Sequence, residues 1–173
     1  GLDAGLFVAS GTQGNLCALL THCRPRQEVI AEHRCHVVTW EVGGWASLAG
    51  VTMATVDAPR GVLTPTLLED VIKPDNIHLV DTHLIWVENT HNAAGGTCTT
   101  PAQLDAITTV ARTHNLRVHI DGARIFNAGA ALDVPVADLV RGVDSVQFCL
   151  SKGLGAPVGS LLLGEASFIE EAR

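Results

Sequence analysis

At 173 residues the chain is long enough for one domain with a real core. Apolar residues make up 47% and charged residues 17%, the balance of a globular interior, which excludes a disordered tail. A formal charge of -7 with only 11 Lys and Arg excludes a coat for nucleic acid or anionic lipid, and no apolar run approaches the ~18 residues of a membrane span.

Taken in chain order, Gly5 to Ser10 reads as a short buried strand, followed by a Gly-containing turn and a helix from about Gln13 to His22. Glu28 to Ala31 is a second strand, a helix follows His36, and Val51 to Val56 returns as a strand. Thr64 to Lys73 has a good helix start, with Thr64 as cap and Pro65 in the first turn. His83 to Val87 is a near-continuous apolar strand of the kind buried on both faces. Thr100 and Pro101 open a helix to about His114, and strands follow at Arg117–Ile120, Val143–Leu150 and Val158–Leu163. This alternation predicts an α/β fold: a mainly parallel sheet flanked by helices in three layers, in one domain without repeat or linker. The first residue is Gly1, not Met, so the chain is expected to begin inside a larger product or after processing. Five cysteines without a CxxC pair read as reduced thiols, which favours a reducing, cytoplasmic setting.

In open α/β sheets, ligands collect beyond the carboxyl ends of the strands. The polar clusters fall there: Ser10-Gly-Thr12, Glu88-Asn-Thr-His-Asn92, Asp121-Gly-Ala-Arg124 and Ser151-Lys152. At the first, small residues lead into a helix whose free N–H groups suit a phosphate; Gly11 permits close approach and Thr12 offers a hydroxyl. A plain helix cap explains the same residues, and neither the Walker pattern nor GxGxxG is present. Asp121 ends an apolar strand with Arg124 three residues on. The two form either a structural pair, or a carboxylate for a ring nitrogen beside a planar fork for a substrate carboxylate. Lys152 stands in a segment without other charge and is expected in an apolar seat, where its amine would be free for a Schiff base; a loop-tip surface lysine is the alternative.

Block by block, Ser10-Gly-Thr-Gln-Gly-Asn15, Cys35-His36 with Trp40-Glu-Val-Gly-Gly44, Glu88-Asn-Thr-His-Asn92, His119 to Asn127 and Ser151-Lys-Gly-Leu-Gly-Ala-Pro-Val-Gly159 resemble the low-specificity L-threonine aldolases. The lysine block is the most specific and the phosphate block the least. The resemblance implies the large, cofactor-binding domain of a fold type I pyridoxal-phosphate enzyme over residues 1–173, incomplete at both ends and without the C-terminal small domain. It implies Lys152 as the Schiff-base lysine, Asp121 as partner of the pyridine nitrogen, Gly11 and Thr12 at the phosphate, and Arg124 at the substrate carboxylate. It further implies His36 stacked on the cofactor ring, His91 near the substrate hydroxyl, and Glu41 in the same acid–base neighbourhood. The expected reaction is retro-aldol cleavage of L-threonine or L-allo-threonine to glycine and an aldehyde, by a homodimer or homotetramer acting on a small amino acid, with no nucleic acid or membrane partner. The hydroxyl base is left open among His91, His36 and a water held by His36 and Glu41. Another pyridoxal-phosphate lyase or transaminase, or a truncated non-catalytic homologue, are the rival readings.

Overall fold

The structure, a computed structural model, describes residues 2–173. In chain order its main elements are β1 (Ala4–Val8), α1 (Gly11–His22), β2 (Glu28–Glu32), α2 (His36–Thr39), α3 (Gly44–Ser47) and β3 (Thr52–Val56). These are followed by α4 (Pro65–Glu69), β4 (Thr82–Glu88), α5 (Pro101–Thr113), β5 (Arg117–Asp121), α6 (Ile125–Leu132), β6 (Ser145–Cys149), β7 (Ser160–Gly164) and α7 (Ala166–Ala172). The strands form one sheet in the order β1-β7-β6-β5-β4-β2-β3.

The five strands β3, β2, β4, β5 and β6 run parallel, while β7 is antiparallel to both β6 and β1. The reason lies in the connection 150–159, which carries Lys152 and holds no helix that could cross back over the sheet. Instead it folds on itself: Leu150 N–H donates to the Gly159 carbonyl at 2.9 Å and Ala156 N–H to the Leu150 carbonyl at 3.0 Å.

Apolar residues on successive positions of one strand go to opposite faces, which is why the central strands are almost continuously apolar. Val29, Ala31, Leu84 and Trp86 pack with Ala18 and Leu19 of α1 and Ile169 of α7. Ile30, Ile85, Val87, Val118 and Ile120 pack with Leu104 and Ile107 of α5, Leu68 of α4 and Ala128 of α6. The helices thus cover both faces and the sheet is the middle of three layers. All five cysteines are free thiols. Among the described residues, no helix is long and apolar enough to cross a membrane.

The expected elements differ at their ends. Helix α1 starts two residues earlier than its pattern suggests, because Ser10 is the cap and accepts from Gln13 N–H at 3.1 Å. The helix expected to Lys73 regularises only to Glu69. Helices α6 and α7 have no side-chain cap bond to announce them.

Candidate active site

The parallel register sets three polar side chains in a row. Glu88, at the end of β4, pairs with Asp121, at the end of β5, which pairs with Gln147 of β6. All three are buried. They lie at the carboxyl edge of the sheet, where ligands gather in such folds. Above them opens a cleft of about 260 Å³ lined by Ser10, Gly11, Thr12, Asn15, His36, Asp121, Ala123, Gln147 and Lys152, among others.

Helix α1 supplies one wall. Its first-turn amides, those of Gly11 and Thr12, have no partner inside the helix and stand at its positive end. At Gly11 a Cβ would lie 2.9 Å from Cys149 Sγ and 3.2 Å from Gln147 Nε2, so its missing side chain lets α1 approach β6.

Asp121 is 2% exposed. It does not pair with Arg124; its Oδ2 accepts from Asn15 Nδ2 at 2.8 Å and its Oδ1 from the Ala123 amide at 3.1 Å. The same Asn15 nitrogen donates to Glu41 Oε1 at 2.7 Å, and that oxygen also stands 2.9 Å from His36 Nδ1. One atom each of His36, Glu41 and Asp121 lie within 4.8 Å of one another. The Glu41 hydrogen bond holds the His36 imidazole above its ordinary pKa against the opposing effect of burial, helped by the charges of Asp121 and Glu88. Arg124 sits at the start of α6, outside the residues that line the cleft, and no described group pairs with its side chain.

Glu88 acts as a brace. Its Oε2 accepts from the His36 amide at 2.6 Å and its Oε1 from the Asn92 amide at 2.9 Å, so it ties the histidine loop to the turn after β4. Burial, with the Asp121 charge beside it, raises its carboxyl above the usual range.

Two expectations fare differently. Lys152 does line the cleft, but not in a buried apolar seat: it is exposed on the rim. The turn explains this, since Gly155 takes φ 75° and donates to the Lys152 carbonyl, and Gly153 packs where a Cβ would meet Asn127 Oδ1 at 2.4 Å. His91 is not brought to the cleft. It is 1% exposed, its Nε2 lies 2.8 Å from Glu32 Oε2, and its ring presses on Gly61, where a Cβ would come within 2.5 Å. The sequence reading missed Asn15, Glu32, Glu88 and Gln147 as contributors. Asn15 and Glu88 stood in marked blocks without a role of their own; Glu32 and Gln147 carried no signal beyond a polar residue in an apolar stretch.

A family model described as beta-eliminating lyase matches residues 1–173. The chain is 45% identical over 177 residues to low-specificity L-threonine aldolase 1 of Arabidopsis thaliana, covering 100% of this chain and 49% of that protein. It is 41% identical over 173 residues to the low specificity L-threonine aldolase of Escherichia coli strain K12, covering 99% of this chain and 51% of that one. The solved threonine aldolase of Leishmania major superposes with a TM-score of 0.87 at 28% identity, over 98% of this chain and 48% of that one. The chain spans about half the length of the curated relatives it matches. The mainly parallel α/β fold expected from the sequence is therefore the one these proteins share. With every described element of the sheet and every wall of the cleft inside the matched span, the chain belongs to the beta-eliminating lyase family.

Proposed function

We propose that the protein of which this chain forms the large, cofactor-binding domain cleaves L-threonine, L-allo-threonine and related β-hydroxy amino acids to glycine and an aldehyde, with pyridoxal 5'-phosphate. The observation that carries this reading is the meeting, in one cleft, of the Lys152 amine, the Asp121 carboxylate and the open amides of α1. The donor set fits the cofactor. The first-turn amides of Gly11 and Thr12 suit its phosphate, Asp121 suits its ring nitrogen, and Lys152 offers an amine to its aldehyde. Two buried acceptors on cleft residues, Asn15 Oδ1 and Gln147 Oε1, have no partner on the protein, so acceptor capacity is left over for a ligand that donates.

When bound, pyridoxal phosphate supplies a sink for the electron pair released as the Cα–Cβ bond breaks. The chain supplies the rest. Asp121, fixed by Asn15 and the Ala123 amide, would offer its carboxylate to the cofactor's ring nitrogen. His36 uses Nδ1 toward Glu41, which leaves Nε2 to receive the substrate's hydroxyl proton, directly or through a water. Glu41 then stabilises the imidazolium. His91 is set aside as the base because its ring is enclosed by Glu32 and Gly61. Arg124 is kept as a candidate for the substrate carboxylate on the strength of its unpaired guanidinium.

We further infer a homodimer or homotetramer in the cytoplasm, where free thiols persist, serving threonine breakdown and glycine supply. The test is Lys152→Ala in the full-length protein. The wild type should bind the cofactor with visible absorbance, become labelled on borohydride reduction, and release glycine and acetaldehyde from threonine. The variant should lose all three; a variant that still traps cofactor covalently overturns the reading. Amino-group transfer to a keto acid without aldehyde release would instead favour a transaminase.

A further inference from the structure

The side-chain amide of Asn15 touches two of the site's carboxylates. Its Nδ2 donates to Glu41 Oε1 at 2.7 Å and to Asp121 Oδ2 at 2.8 Å, so both of its amide hydrogens are engaged. Turning the amide over would set its oxygen against two carboxylates, so its orientation is fixed. The side chain is 1% exposed. The two acids come from separate elements, Glu41 from the link between α2 and α3 and Asp121 from the end of β5, and no direct bond joins them.

The helix is built to deliver this side chain. Gly11 and Gly14 lie on the same face of α1, three residues apart, and each sits where a Cβ would strike β6: Gly11 at 2.9 Å from Cys149 Sγ, Gly14 at 2.6 Å from Gln147 Cγ. That close seat lowers the next residue, Asn15, to the level of the strand ends. Three buried acids, Glu41, Glu88 and Asp121, crowd this edge of the sheet. Keeping like charges together out of water requires donors aimed at them, and Asn15 gives one to each of two.

We propose that Asn15 is a positioning residue that locks Glu41 and Asp121 into one unit, so that the His36–Glu41 acid–base pair and the carboxylate on the cleft floor keep a fixed geometry. The lock itself is a property of the protein alone; its service to a cofactor rests on the function proposed above.

Two measurements separate these levels. The first follows the side-chain carboxyl carbons of 13C-labelled Asp and Glu by NMR against pH in the cofactor-free, full-length protein, for wild type, Asn15→Leu and Asn15→Ser. Besides Asn15, the groups facing the pair are His36, Glu88 and the Ala123 amide, and all of them remain in each variant. Asn15→Leu should move a carboxyl midpoint up by about one pH unit or more, and Asn15→Ser, which keeps one donor and is the fallback if the Leu variant does not fold, by less. Unchanged midpoints in a folded variant overturn the lock. The second measures pyridoxal-phosphate affinity by absorbance titration, where the variants should lose about tenfold or more. Raised midpoints with unchanged affinity would sever the lock from the ring nitrogen and overturn that part of the proposal. A wild type that fails to bind the cofactor would sink the proposed function and leave the first measurement standing.

Discussion

His36 Nδ1 stands 2.9 Å from Glu41 Oε1, and Glu41 is 7% exposed while the imidazole keeps an open edge toward the cleft. The hydrogen bond to Glu41 is the main cause of the raised His36 pKa. A histidine raised in the folded state stabilises the fold below its unfolded value and loses that contribution as pH rises through its folded value. The proposed reaction runs the other way, since His36 as its base must be neutral. Glu41→Gln should therefore move the acid limb of the kcat/KM profile to lower pH, by about one unit or less because Asp121 and Glu88 still face the ring. An acid limb that does not move would mean the pair does not set the base.

Gly11→Ala tests how α1 is seated. In most helices this change is neutral or helpful by up to about 1 kcal/mol, because glycine loses more backbone freedom on folding. Here the added carbon would meet Cys149 Sγ at 2.9 Å, a buried side chain at the end of β6. We expect the opposite sign, a loss of about 1–3 kcal/mol in denaturant unfolding, with weaker binding of inorganic phosphate. A gain in stability would show that the helix has room to spare.

These two sites mark the limit of what the sequence discloses. The strand from His83 to Val87 was legible because a strand covered on both faces must be apolar at every position. The Thr100–Pro101 start was legible because its capping chemistry is local, and Thr100 and Gln103 do form a capping box. Asp121 and Lys152 could be marked because each ends an apolar run. By contrast, Asn15 closed a marked block but received no role of its own, because its partners lie 26 and 106 residues away. The direction of β7 was hidden because alternation of apolar residues does not encode the sense of pairing. Lys152 was expected to be buried because nearby charge is absent, yet glycines turn its loop outward.

At the opposite edge of the sheet, Ser145 Oγ lies 2.6 Å from His22 Nε2 and 2.7 Å from His119 Nδ1. The hydroxyl has one proton, so one imidazole donates to it while the other accepts, and protonating the acceptor breaks the chain. Burial pushes His22 down to about 4 and His119 well below its ordinary value. Both groups are depressed bases, so the unfolded chain takes up protons first and stability falls as pH drops below about 6.5. Each of the two histidines should cost about 2 kcal/mol in denaturant unfolding between pH 7 and pH 5, a window above the range where ordinary carboxylates titrate. His22→Leu should flatten that slope, whereas His36, whose shift has the other sign, works against it. Equal stability at pH 7 and pH 5 in both proteins would exclude the buried network as an acid-sensitive element.

His91 offers the sharpest separation between structure and chemistry. It occupies the turn after β4, beside Glu88, where a residue touching the substrate would be expected. Its Nε2 instead meets Glu32 Oε2 at 2.8 Å, and Glu32 also accepts from the amide and the guanidinium of Arg34 at 2.7 and 2.9 Å. Glu32 is 1% exposed, so removing one partner leaves a buried carboxylate short of a donor. His91→Leu should cost about 2–4 kcal/mol of stability. In the fraction that stays folded, kcat/KM should keep the pH dependence of the wild type, because the proposed proton acceptor, His36 Nε2, is untouched. A folded variant of normal stability that has lost its acid limb would return the histidine to the reaction and displace His36 from the role assigned to it.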